Sequence, residues 1–349
     1  MAVNEPRLTF GIEEEYHIVD IETRELASLP PELLQACQEA LPGQVGTELL
    51  RSQIEVGTKP AHTFAEARAD LANLRRTVGT LSRAHGLAPI AASTHPIGGH
   101  RRQETTQAER YMGLAADLAG VGRRLAICGM HVHVDLGDNA LRIDVMNQAR
   151  YFLPHLLALS TSSPFWEGDD TGLKSFRLAI FNELPRTGLP DWFRSWEEYR
   201  DTVDVLVNAG VMEDATKVWW DLRPSERFPT LELRITDVCT RLDDALAIAA
   251  LYLCACRWLY RLRRGNQSWR QYPLFLLAEN RWRAQRYGVG GSLFDFGIGS
   301  LVPFKDLLDE IIALTAEDAT ALGCTKQVES TRDIVASGTS ADRQSAAYQ

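Results

Sequence analysis

Ile127–Leu136 reads ICGMHVHVDL, and the reading of that run decides the fold. Strand side chains alternate with period two, so Ile127, Gly129, His131, His133 and Asp135 fall on one face. Cys128, Met130, Val132, Val134 and Leu136 fall on the other. One face is apolar enough to lie on a core, while its opposite carries two imidazoles and a carboxylate.

Working outward, three more stretches show the same split. Thr9–Asp20 (TFGIEEEYHIVD) puts Gly11, Glu13, Glu15 and His17 on one face and Phe10, Ile12, Tyr16 and Ile18 on the other, with Glu14 as the exception. Glu48–Thr58 (ELLRSQIEVGT) sets Ile54 and Val56 against Arg51, Gln53 and Glu55. Thr230–Val238 (TLELRITDV) alternates Leu231, Leu233 and Ile235 with Glu232, Arg234 and Thr236. Leu87–Ser93 is expected as a short buried strand ahead of a His95-Pro96 turn.

Helices are expected between these strands. Phe64, Ala67, Leu71, Leu74, Val78 and Leu81 step by three and four, one buried helical stripe ending near Gly86. Further helices are expected near Pro31–Ala40, Gln107–Leu118, Ile143–Ser160, Trp196–Ala209, Asp243–Arg264, Pro273–Tyr287 and Phe304–Leu322. Ser162–Pro190 reads as a long functional loop, with Phe165, Trp166, Phe176 and Phe181 arguing against disorder. Antiparallel strands early and helices late, with no repeat and no linker, predict one α+β domain over residues 1–349.

Composition narrows the function. With 349 residues, 45% hydrophobic and 24% charged, the chain is that of a globular protein with ample core. A formal charge of −9 and a pI near 5.5 argue against nucleic acid or an anionic membrane as the main partner. The apolar run Ala245–Leu262 contains Arg257 and reads as a buried helix instead of a membrane span. No basic-then-apolar opening and no paired spacing among the six cysteines point to the cytoplasm. GxSxG and HExxH are missing, and Gly288–Gly291 (GVGG) lacks the lysine and strand-to-helix context of a phosphate loop.

Gathered together, the polar faces offer Glu13, Glu15, Glu55, His131, His133, Glu232 and Arg234. Unpaired carboxylates repel and acquire raised pKa values unless a cation neutralises them. Mg²⁺ or Mn²⁺ is the natural choice for oxygen ligands shared with phosphates. Arg177, Arg223 and Arg234 suit carboxylates or phosphates, and the whole suits phosphoryl transfer from a nucleotide. Each feature has an ordinary explanation, such as a solvated strand face or a cross-strand ion pair. The same half-polar pattern on four strands is what points to a site. His62, His85, His95, His100 and His155 read as structural.

GIEEEYHIVD, LLRSQIEVGT, LAPIAASTHP, CGMHVHVDL, SPFWEGDDTG with SFR, LPRTGLP, WWDLRPSERFPTLELRITD and RWRAQRYG occur in that order, closing on GTSADRQSAAY. From about residue 7 onward the chain resembles the type 2 glutamate–cysteine ligase family, bacterial carboxylate–amine ligases related to glutamine synthetase. The resemblance implies a glutamine-synthetase-like α+β fold, an antiparallel sheet forming a funnel with helices outside. It implies an ATP-dependent ligase that phosphorylates a carboxylate, typically the γ-carboxylate of L-glutamate, for attack by an amine such as that of L-cysteine. Carried over by motif, Glu13, Glu15, Glu55, His131 and Glu232 would be ligands of Mg²⁺ (or Mn²⁺), and Arg234 would neutralise the transferring phosphoryl group. Arg177 and Arg223 would contact substrate or nucleotide, with His133 beside them. Small-molecule substrates and a homodimer are expected. Two other classes stay open: a metal-dependent amidohydrolase with an HxH strand, and a non-catalytic nucleotide-binding protein.

Overall fold

The computed structural model describes residues 5–349, and at positions 109, 110 and 114–117 the backbone alone. The four half-polar stretches lie side by side in one antiparallel sheet of seven strands. Numbered in chain order, these are β1 (Phe10–Asp20), β2 (Val45–Thr47), β3 (Gln53–Gly57), β4 (Leu87–Ile90), β5 (Met130–Asp135), β6 (Leu222–Pro224) and β7 (Thr230–Leu233). Their order is β6-β7-β5-β1-β3-β2, and β4 takes over beside β1 where β5 leaves off. Every pairing in this sheet is antiparallel, so the parallel barrel that the amidohydrolase alternative requires is not what these strands form.

The apolar face is the core. Phe10, Ile12, Tyr16, Ile18, Ile54, Val56, Met130, Val132, Val134, Leu231 and Leu233 are buried in one cluster with Phe64, Leu71, Leu74 and Val78 of the helix Phe64–Arg83. A capping box between Thr63 and Glu66 starts that helix. Glu14, the exception in the alternation, is fully buried and satisfied there: Arg75 Nε and Nη2 donate to it at 2.8 and 2.5 Å, and the Tyr16 hydroxyl donates as well. A buried carboxylate is tolerable only with such partners. The helix Leu242–Arg264 is long and apolar enough to cross a membrane, yet 83% of its most apolar window is buried inside the fold.

Where expectation and structure differ, the cause is local. The helix expected over Ile143–Ser160 is two, Asn139–Ala149 and Leu153–Ser160, because Pro154 has no N–H and its ring would strike the carbonyl four residues back. The strand expected over Glu48–Thr58 begins only at Gln53. Before it the chain pairs elsewhere, with Arg51 N–H donating to the Glu104 carbonyl (2.9 Å) and Thr106 N–H to that of Leu49 (2.9 Å). Ser162–Pro190 is built instead of open: a hairpin of Phe165–Trp166 with Asp169–Asp170, a short helix Arg177–Phe181, and Thr187–Gly188 paired with Trp219–Trp220.

Thr230–Val238 is interrupted. Leu233 pairs with Val132, and strict register would then set Thr236 opposite Gly129, but Asp237 is there. One extra residue has been inserted. The N–H groups of Arg234 (2.8 Å) and Ile235 (3.1 Å) both donate to the Asp221 carbonyl, the mark of a β-bulge.

Candidate active site

Register alone assembles the polar face. Antiparallel partners point to the same side, so Glu13 stands beside His131, Glu15 beside Glu55, and Arg223, Glu232 and His133 follow one another across β6, β7 and β5. Glu15 lies next to Gly129, whose N–H donates to its carboxylate at 2.6 Å. This face lines a cleft of about 290 Å³ that holds Glu13, Glu15, Glu55, His131, His133, Arg177, Arg223, Glu232 and Arg234 together. Leu49, Tyr111, Leu125, Phe181, Leu184 and Trp219 give it apolar lining. His62, His85, His95, His100, His155 and Gly288–Gly291 do not line it.

Near β7 the charges are balanced. Arg223 Nε donates to Glu232 at 2.9 Å and Arg234 Nη1 donates to the same carboxylate. Burial opposes ionisation of Glu232, but Arg234 and Arg223 outweigh it and hold the carboxyl well below the usual range. Glu13 is likewise low: burial works against its charge, and hydrogen bonds from His131 and His133 overcome it. Atoms of Glu13, His133 and Glu232 able to bind a metal lie within 4.8 Å of one another. His131 sits 3.4 Å from Glu13 and 3.9 Å from Glu15. Burial, then Arg234, pushes its pKa down to about 4, so its ring is neutral at neutral pH. For His133 burial pulls the same way, but Glu13 and Glu232 raise its pKa on balance.

Near β3 the balance fails. Glu55 is pushed well above the carboxylate range, first by burial and then by Glu48, with which it shares a hydrogen bond. Burial raises Glu15 and Glu48 too. Glu48 was not singled out from the sequence. Counted back from Glu55 it falls on the opposite face of a continuous strand, and only the break before Gln53 brings it round. No periodicity signals that.

The donor set fits a hard divalent cation: carboxylates cluster there, Glu55, Glu15 and Glu48 are raised by burial and by one another, and the Nε2 atom of His131 is buried with no hydrogen-bond partner. A second cleft of about 480 Å³ lies against the same wall, sharing Glu13, Glu55, His133 and Phe228 with the first, and Thr9–Ile12, Gly43–Gly46 and Gly57–Thr58 are among its other lining residues.

A carboxylate-lined antiparallel sheet with arginines at one edge and helices behind it is the glutamine-synthetase-like architecture, and solved structures agree on the fold. A bifunctional glutathione synthetase from Pasteurella multocida superposes with a TM-score of 0.71 at 16% identity over 97% of this chain, which spans about half (49%) of that one. A glutamate–cysteine ligase from Francisella tularensis, solved in complex with AMP, gives 0.68 at 15% identity, covering 98% of this chain and 85% of that one. The chain belongs to glutamate–cysteine ligase family 2, whose model matches residues 9–349. Relatives called "Putative glutamate–cysteine ligase 2" are 57% identical in Rhodospirillum rubrum, over 98% of this chain and 89% of that one, and 54% identical in a Jannaschia species, over 99% and 91%. Membership makes the protein a ligase that forms amide bonds.

Proposed function

We propose that the chain is an ATP- and Mg²⁺-dependent carboxylate–amine ligase that joins the γ-carboxylate of L-glutamate to the amine of L-cysteine through an acyl phosphate. The observation carrying this reading is the juxtaposition, in one cleft, of a surplus of half-buried carboxylates with arginines already committed to the buried Glu232. Surplus carboxylates suit cations shared with a polyphosphate. Glu13, Glu15, Glu55, His131 and Glu232 would hold the cations, with His133 and Glu48 added by the geometry. Bound there, Mg²⁺ would supply charge neutralisation for the phosphates.

The chain's own residues do the rest. Arg234, held against Glu232, presents a preset positive charge to the phosphoryl group in transfer. Arg223 is anchored by the carbonyls of Val218 (2.6 Å) and Thr216 (2.9 Å), so it meets an anion without first being ordered. Neutral His131 offers a lone pair without adding charge to the glutamates. The two clefts meeting at Glu13 and His133 give the acid and the nucleotide separate approaches to one wall. The apolar lining keeps water from the acyl phosphate while the amine attacks and phosphate leaves.

The test is ADP formation from ATP with Mg²⁺ and L-glutamate, with and without a panel of amines including L-cysteine, products read by mass spectrometry. A γ-glutamyl amide formed with cysteine and no other amine supports the full reading. An amide with a different amine keeps the chemistry and changes the acceptor; no ADP with glutamate removes glutamate as the acid.

A further inference from the structure

Asp237 is a fully buried carboxylate beside the cleft and does not line it. It accepts from Ser162 N–H (2.9 Å), Ser163 Oγ (2.8 Å) and Ser175 Oγ (2.9 Å), and Arg177 Nη1 lies 3.9 Å away. Neutral donors alone do not offset the cost of burying a charge, and Arg177 is the counter-charge at hand.

The β-bulge puts Asp237 there. Without the extra residue Thr236 would face Gly129, and Asp237 would fall on the apolar side of the sheet. Arg177 in turn holds the bulge. Its Nη2 donates to the Arg234 carbonyl (3.1 Å) and its Nη1 to that of Ile235 (3.2 Å), while its backbone N–H donates to Ser163 Oγ (3.1 Å). The guanidinium can lie this close to the sheet because residue 129 is glycine: a Cβ there would stand 2.4 Å from Nη2. Arg177 is only 2% exposed, and both of its guanidinium bonds go to the two bulge residues. Bulges beside active sites aim side chains. The one aimed here is Arg234, whose Nη1 rests on Glu232 and whose buried Nε has no partner.

We propose that Asp237 is a positioning residue: it holds Arg177 over Gly129, Arg177 pins the bulge at Arg234–Ile235, and the pinned bulge aims the Arg234 guanidinium into the cleft. The activity readout rests on the ligase reading above; the structural readout does not.

Asp237→Asn keeps the size of the side chain and removes its charge. We expect kcat for amide formation to fall about 10- to 100-fold, the scale of a ~1 Å misplacement. KM should change little, since Arg234 is worth most while the phosphoryl group is in transfer. Combined with Arg234→Lys, the Asp237→Asn change should cost almost nothing further, because its route runs through Arg234. The full loss persisting in that background would overturn the proposal. So would a lower Tm with kcat per folded molecule unchanged. Should Asp237→Asn fail to fold, Ser175→Ala removes a single donor and should give the same pattern at smaller amplitude.

A crystal structure of whichever variant folds separates this claim from the reaction. Arg177 leaving the carbonyls of Arg234 and Ile235 supports it, and an unmoved guanidinium overturns it, whatever the wild type turns over. Wild-type protein that makes no amide would count against the ligase reading alone.

Discussion

Glu232 and Glu55 stand on the same face of one sheet, on β7 and β3, and line the same cleft. Glu232 receives two arginines and is held well below the carboxylate range, although burial pulls the other way. Glu55 has Glu48 for a neighbour and is pushed well above it. Residue type and face are shared; the neighbours differ. One end of the cleft is therefore charge-balanced in the protein alone, whereas at the other, burial and neighbouring acids raise the carboxyl groups with no cationic side chain set against them by hydrogen bond among the described residues. Under the proposed function the arginine end would meet anions and the glutamate end would hold cations, the division that phosphoryl transfer needs.

The largest break in this contrast should come from Glu232→Gln. It leaves Arg223 and Arg234 buried without their carboxylate, and removing one partner of a buried pair typically costs about 3–5 kcal/mol. Urea denaturation should show that loss, together with disappearance of ATP turnover. Wild-type stability in this variant would mean that the two arginines have another counter-charge. Next in size is the response to metal. Mg²⁺ binding only the folded protein should raise Tm saturably, by a stabilisation of about 2.7 kcal/mol at a hundred times Kd. Glu48→Gln should blunt the rise if that residue belongs to the cation end. A wild-type Tm indifferent to millimolar Mg²⁺ would remove the cation from that end.

His17 extends the comparison along β1. By alternation it shares a face with Glu13 and Glu15, but it lies where β1 pairs with β4, opposite Ile90, and is fully buried against His95, with ring centroids 6.4 Å apart. Burial, then His95, takes its pKa down to about 3. The unfolded chain binds the proton near pH 6.5 and the folded chain refuses it, so the stability His17 contributes is complete above that pH and is lost as the pH falls toward 3. At pH 5 the loss is about 2 kcal/mol, from 1.36 kcal/mol per pH unit. His17→Phe should flatten the acid limb of a stability–pH profile between pH 6.5 and 5. An unchanged slope would shift the acid sensitivity to other groups, His155 foremost, whose pKa burial lowers to about 4.

Much of this was legible in the chain. Alternation in Ile127–Leu136 and its three counterparts gave the antiparallel sheet and its polar face, because one buried face forces period two. The spacing of Phe64 to Val78 and the apolar run after Asp243 gave helices now seen at Phe64–Arg83 and Leu242–Arg264. Residues on those regular elements met in the cleft as expected. What alternation could not show lies where it fails. The bulge after Leu233 adds one residue with no mark in composition, so Asp237 reads as a member of the apolar face. Glu48 reaches Glu55 only because Leu49–Arg51 pair with Glu104–Thr106 instead of continuing β3. Arg177 reads from sequence as a substrate contact, while its guanidinium bonds are directed to the backbone of another strand.

The finest test of the contrast is Glu55→Gln. At the arginine end, loss of a carboxylate is costly because cations are stranded; at the glutamate end no cation is stranded, since the nearest neighbours are other acids. An amide at position 55 can still hydrogen-bond Glu48 and no longer competes with it for charge. The metal-free protein should therefore be as stable as wild type or more so, by on the order of 1 kcal/mol, the worth of roughly one pKa unit. Turnover should nevertheless fall by at least about 100-fold, and the rise of Tm with Mg²⁺ should shrink. Opposite signs for stability and activity are what distinguish a carboxylate kept for a cation from one kept for the fold. A variant less stable than wild type without metal, measured by the same urea titration as Glu232→Gln, would place both ends of the cleft in the same class and dissolve the distinction.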